Sequence, residues 1–142
     1  MAKRIFVNLP VADVARAAAF YEAIGFTRNA MFSTPQAAAM EWSAAISVML
    51  LDHGFYATFT DKRIIDAHTT SGALFALSLD SRADVDSITE AALAAGGREL
   101  HGPEDLGFMY SRAFEDPDGH GWGPMFMDME AAATGMGQPE PQ

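Results

Sequence analysis

Four histidines, His53, His68, His101 and His120, are the side chains here best suited to bind a metal ion or to move a proton near neutral pH. Their spacing argues against both uses. None stands four residues from another histidine or belongs to a His-x-Glu pair, arrangements that place two donors on one face. Each is expected at the surface, His120 just beyond the turn Asp116-Pro117-Asp118-Gly119. Glu41 beside Trp42, with Asp52 and His53 further along, leaves open an improvised metal site. The chain contains no cysteine, which excludes disulfides, zinc–thiolate and iron–sulfur centres, and thiol catalysis. It also shows no glycine-rich phosphate loop, nucleophile elbow or Ser-His-Asp order.

Charge narrows the partners. Nine Lys and Arg stand against nineteen Asp and Glu, a net charge of −10. Unaided nucleic-acid binding needs a basic stripe, and none is present. Anionic membranes are disfavoured on the same ground. An acidic balance favours solubility and is compatible with a cationic ligand. The 142 residues suffice for one domain with a real core, and 49% hydrophobic with 20% charged residues is a globular composition. Met1-Ala2-Lys3-Arg4 leads into an apolar segment that breaks at Pro10. No signal-type apolar region follows, and no run approaches the ~20 residues of a membrane helix, so a cytoplasmic protein is expected.

The elements that would position any site come twice. Ile5 to Leu9 reads as a strand, and Asp13 stands at the N-cap of a helix in which Val14, Ala17, Ala18, Tyr21 and Ile24 recur at helical spacing before Gly25. Strands over Phe26 to Phe32, Ala37 to Trp42 and Ile46 to Leu51 complete a β-α-β-β-β unit. His53 to His68 mixes aromatic, apolar and charged residues without a period and is expected to hold a short helix. The order then repeats. Ala73 to Leu79 is a strand, Ser81 caps a helix from Arg82 to Ala95, and Gly96-Gly97 ends it. Strands over Arg98 to His101, Phe108 to Phe114 and Trp122 to Met127 follow, with Pro117 and Gly119 setting the intervening hairpin turn. The expected organisation is a single domain over 1–142: module one about 4–51, an insert about 52–70, module two about 71–128, and a loose tail about 130–142.

Phe6-Val7-Asn8-Leu9-Pro10-Val11-Ala12-Asp13, followed by Ala19-Phe20-Tyr21 and Gly25-Phe26, resembles the opening motif of the glyoxalase/bleomycin-resistance/extradiol-dioxygenase group, the vicinal oxygen chelate superfamily. Phe114-Glu115-Asp116-Pro117-Asp118-Gly119-His120-Gly121-Trp122 resembles its closing motif. The resemblance implies an α+β fold in which two βαβββ modules form a curled, cup-shaped mixed sheet with helices outside, usually in a homodimer. It also implies a divalent metal in the cup, held by His, Glu or Gln and used to polarise vicinal oxygens. Carried over residue by residue, the four ligand positions fall on Phe6, Met49, Leu74 and Gly123. Phe, Leu and Gly offer no side-chain donor, and a methionine thioether suits copper(I) rather than an oxygen-preferring ion. A metal site of the usual kind is therefore expected to be absent, and no cofactor is expected.

Strand alternation, with the family's facing for the seventh strand, completes a candidate pocket: Phe6, Asn8, Met49, Leu74, Ser111, Gly123 and Met125, with Tyr110, Arg112 and Phe114 turned towards the helices. This lining is apolar and methionine-containing, as small-molecule sites often are. Alternation also accounts for the methionines of Met125-Phe126-Met127-Asp128-Met129. The reading is a metal-free homodimer that binds a small molecule, a cationic drug or an aromatic metabolite. The alternatives are a metal-dependent glyoxalase-like lyase or dioxygenase with displaced ligands involving Glu41 or His53, and a structural or regulatory dimer whose cup is filled by packing.

Overall fold

The computed structural model describes residues 3–136 and contains one motif twice. In the first copy β1 (Ile5–Val11), α1 (Val14–Ala23), β2 (Thr27–Thr34), β3 (Ala37–Glu41) and β4 (Ile46–Asp52) form a sheet of order β1-β4-β3-β2. A short helix, α2 (His53–Tyr56), and an irregular crossing lead to the second. There β5 (Leu74–Leu79), α3 (Arg82–Ala94), β6 (Arg98–Asp105), β7 (Met109–Glu115) and β8 (Gly121–Met127) form a sheet of order β5-β8-β7-β6. In each sheet the first and last strands pair in parallel and the other neighbours are antiparallel. Parallel partners need a crossover, which α1 and α3 supply. The fold is thus α+β, built from tandem βαβββ modules.

Caps and periodicity fix the two long helices. Asp13 accepts the Arg16 amide at 3.1 Å and Ser81 the Asp84 amide at 3.0 Å, each satisfying an orphan donor of a first turn. The stripe of α1 buries Val14, Ala17, Ala18, Phe20 and Tyr21, and that of α3 buries Val85, Ile88, Thr89 and Ala92. Alternation along a strand sets which side chains face the core, although β3 is buried at four of its five residues and β6 is exposed at all but one of its eight. Leu9, Val11, Val48, Leu50, Leu77, Phe114 and Trp122 turn to a core shared by both modules. On the opposite face of the two edge strands, Phe6 is 57% and Leu74 76% exposed. Tyr110 and Arg112 reach Asp86 of α3, at 2.7 and 3.2 Å, which agrees with their expected facing towards the helices.

Three expectations need correction. The loose tail is helical at its start: α4 (Met129–Met136) begins where Asp128 Oδ1 accepts the Glu130 and Ala131 amides, and Ala132 is buried. Residues 137–142 of that tail lie outside the described residues. The sixth strand runs to Asp105 rather than His101, because β6 is an edge strand and Pro103 costs no ladder bond there. His120 is buried, not superficial, at 8% exposure.

Candidate ligand site

What buries His120 also locks the modules together. Its Nε2 donates to the Pro10 carbonyl at 2.7 Å, tying β8's entry to the end of β1. The turn before it carries Asp116, whose Oδ2 accepts the Tyr21 hydroxyl of α1 at 2.5 Å. Its Oδ1 accepts the Asp118 and His120 amides at 2.9 and 2.8 Å. Trp122 Nε1 donates to the Tyr21 oxygen at 3.0 Å, and Asp118 Oδ1 accepts the Ala12 amide at 2.9 Å. Burial pushes the Tyr21 hydroxyl well above its ordinary pKa, reinforced by the Asp116 charge. Burial also raises the Asp116 carboxyl, opposed in part by His120 and the hydrogen bonds it accepts.

Beside this junction lies a cavity of about 790 Å³. Its floor comes from the end of β1 (Val7 to Pro10), the start of β5 (Leu74, Phe75) and the Gly119–Gly121 segment. The crossing between α2 and β5 roofs it with Lys62, Arg63, Ile64, Ile65 and His68. One position holds the roof against the floor, and another packs within the roof. A Cβ at Gly119 would stand 2.6 Å from the His68 amide nitrogen, and one at Gly72 would stand 3.0 Å from the Ile65 side chain. Glu115 is the wall's one carboxylate; its Oε1 receives Arg98 Nη2 at 2.9 Å and Nε at 3.0 Å, and lies 3.9 Å from His68 Nδ1.

The structure divides the seven sequence-predicted pocket residues. Asn8 and Leu74 line the cavity. Phe6, Met49, Ser111, Gly123 and Met125 lie on the same uncovered sheet faces but outside that wall. Asn8 and Met49 are cross-strand partners, as are Ser111 and Met125. Each such pair belongs to its own sheet, because no strand of one module pairs with a strand of the other among the described residues. The charged wall residues Lys62, Arg63, Arg98 and Glu115 went unrecognised. The signal was a Lys-Arg pair set directly before Ile64-Ile65 in an otherwise acidic chain.

The comparisons complete the picture. The family model described as "Glyoxalase/Bleomycin resistance protein/Dioxygenase superfamily" matches residues 5–123. The chain belongs to that superfamily. Its structure is similar to that of a hypothetical protein, SA1046, from S. aureus, with TM-score 0.75 and 21% identity over 89% of this chain and 94% of that one. It is similar also to a glyoxalase/bleomycin resistance protein/dioxygenase family enzyme from Burkholderia phytofirmans PsJN, with TM-score 0.73 and 20% identity over 89% and 99% of the two chains. A glyoxalase-related enzyme from Fulvimarina pelagi gives TM-score 0.73 and 19% identity over 89% and 88%. At these identities the likeness establishes the fold. Among proteins of curated function, none matches.

A superfamily member invites a divalent ion, and the side chains here do not fit one. Phe6, Met49, Leu74 and Gly123, the carried-over ligand positions, supply no nitrogen or oxygen donor. Nor do the displaced candidates converge. Glu41 pairs with Ser47, five residues along β4 from Asp52, roughly 17 Å at the rise of a strand. Asp52 Oδ1 meanwhile accepts the Phe55 amide at 2.7 Å as the cap of α2, and His53 is exposed. Among the described residues no three His, Asp or Glu side chains are grouped to hold a metal ion, and no helix is long and apolar enough to cross a membrane.

Proposed function

We propose that this protein binds a small, partly apolar molecule in the cavity between its modules, and that it does so without a metal ion. The observation that carries this reading is the cavity itself: about 790 Å³ falls within the roughly 300–1,000 Å³ of small-molecule sites. Its wall combines Leu74, Leu100, Ile64 and Ile65 with polar residues, Asn8, Tyr56 and Thr60 among them. Of the two ligand classes suggested by the sequence, an aromatic metabolite suits this wall better than a cationic drug, since Lys62, Arg63 and Arg98 line it. The uncovered sheet faces outside the cavity, with Phe6 exposed on an edge strand, support a homodimer in which a second copy covers them.

The test uses N-phenyl-1-naphthylamine, a neutral amphipathic dye, titrated into protein pretreated with EDTA. Saturable fluorescence at one dye per chain is expected, with the same affinity when zinc, nickel or manganese is added back. Binding that appears only with added metal sinks the reading, as does the absence of saturable binding by both this dye and its anionic analogue 1-anilinonaphthalene-8-sulfonate.

A further inference from the structure

The composition of the cavity wall runs against that of the chain. Acidic residues outnumber basic ones nineteen to nine overall, yet three of the nine Lys and Arg line this cavity against one of the nineteen Asp and Glu. That one, Glu115, is already engaged by Arg98, which makes two hydrogen-bonding contacts to a single carboxylate oxygen. Lys62 and Arg63, by contrast, have no ion-pair partner among the described residues. Two cavity-lining cations therefore have no carboxylate within ion-pair distance, although Asp61 and Asp66 flank them in the chain. Ile64, Ile65, Leu74 and Leu100 line the same space.

Resting on the binding reading above, we propose that the ligand is an organic anion: an apolar or aromatic body seated against Leu74 and Leu100, with an oxyanion received by Lys62 and Arg63. Lys62 and Arg63 are consecutive lining residues, and an ammonium with a guanidinium suits a carboxylate or a phosphate, the guanidinium through its planar fork. The net charge of −10 does not forbid this. At physiological salt the screening length is about 8 Å, so the nearest cations govern an anion at contact while the distant acidic surface is damped.

The experiment compares two dyes that share a ring system. 1-Anilinonaphthalene-8-sulfonate carries one negative charge; N-phenyl-1-naphthylamine lacks it. The anion is expected to bind more tightly, and to weaken as salt rises while the neutral dye does not. In the double variant Lys62→Gln with Arg63→Gln, affinity for the anion should fall about tenfold, the scale of one lost charge-assisted hydrogen bond. Affinity for the neutral dye should change less than about twofold. Both residues are exposed, and an unchanged circular dichroism spectrum and melting temperature establish that the variant is folded. Displacement of the bound anion by 1-naphthoate or by 1-naphthyl phosphate, but not by 1-naphthylmethylamine, supports the proposal and tells carboxylate from phosphate. If the neutral dye binds but the anion binds no better, or if the double variant treats both alike, the anion proposal is overturned and the pocket reading survives. If neither dye binds, the pocket reading itself has failed.

Discussion

Asp116 opens a surface turn and yet is only 1% exposed, because Tyr21 and two amides of its own turn converge on its oxygens. Burial raises its carboxyl pKa, so the folded protein holds that proton to higher pH than the unfolded chain does. The linkage has a definite sign. The contribution is fully present below the unfolded value of about 4 and is lost as pH rises through the raised folded value. The unfolding free energy of the natural protein should therefore fall relative to that of Asp116→Asn across this window, by at most about 1.4 kcal/mol per pH unit. Urea titrations at a series of pH values read this directly, and parallel curves would contradict it. The sequence showed Asp116 only as a turn former, since Asp-Pro-Asp-Gly accounts for the residue locally. Its partner Tyr21 is 95 positions away, and nothing in either neighbourhood announces the pairing. Ligand positions were legible in the opposite sense: Phe, Leu and Gly carry no side-chain donor and Met only a soft thioether, wherever the backbone places them.

At the scale of elements, helical spacing was enough for both long helices, each of which buries one face, and β-branched and aromatic runs between turn residues placed the eight strands, although β6 runs four residues past its expected end. The segment between α2 and β5 has no period, so its place could not be read from sequence. Its place is set by contact instead. Gly119, at φ +92°, has the backbone of Ala67 and His68 within 2.6–2.9 Å of where a Cβ would sit. Backbone atoms cannot swing aside as a side-chain tip can. Gly119→Ala should therefore destabilise by roughly 2–4 kcal/mol, combining left-handed strain with overpacking. Gly107 supplies the control, since it has φ +84° and nothing within 4 Å of a Cβ. Gly107→Ala should cost about 1–2 kcal/mol, the strain alone. Equal losses in the two variants, measured by chemical denaturation, would show that the crossing does not press on the turn.

For the molecule as a whole, the modules share one core rather than touching at a seam. Tyr21 and Phe26 of the first pack edge-to-face on Trp122 of the second, with ring centroids 5.7 and 5.9 Å apart, and Phe20 meets Phe114 at 6.2 Å. The two tryptophans fall one in each module, Trp42 in the first and Trp122 in the second. Unfolding should then be a single transition. In Trp42→Phe, the fluorescence of Trp122 should follow the same denaturant midpoint as the circular dichroism of the whole chain; a module that melts separately would split them. The duplication itself was visible in the sequence because each copy repeats the same order of caps, periods and glycine stops. The inter-module cavity was not, since it exists only once residues near positions 8, 65, 98 and 120 have come together. The same long reach bears on how the protein is made. The His120 ring that holds Pro10 is encoded 110 residues later, so as the chain leaves the ribosome its first module must wait, with Tyr21 and Phe26 uncovered, until the β7–β8 hairpin has emerged. Nascent chains halted before Trp122 are where chaperone dependence and aggregation would concentrate.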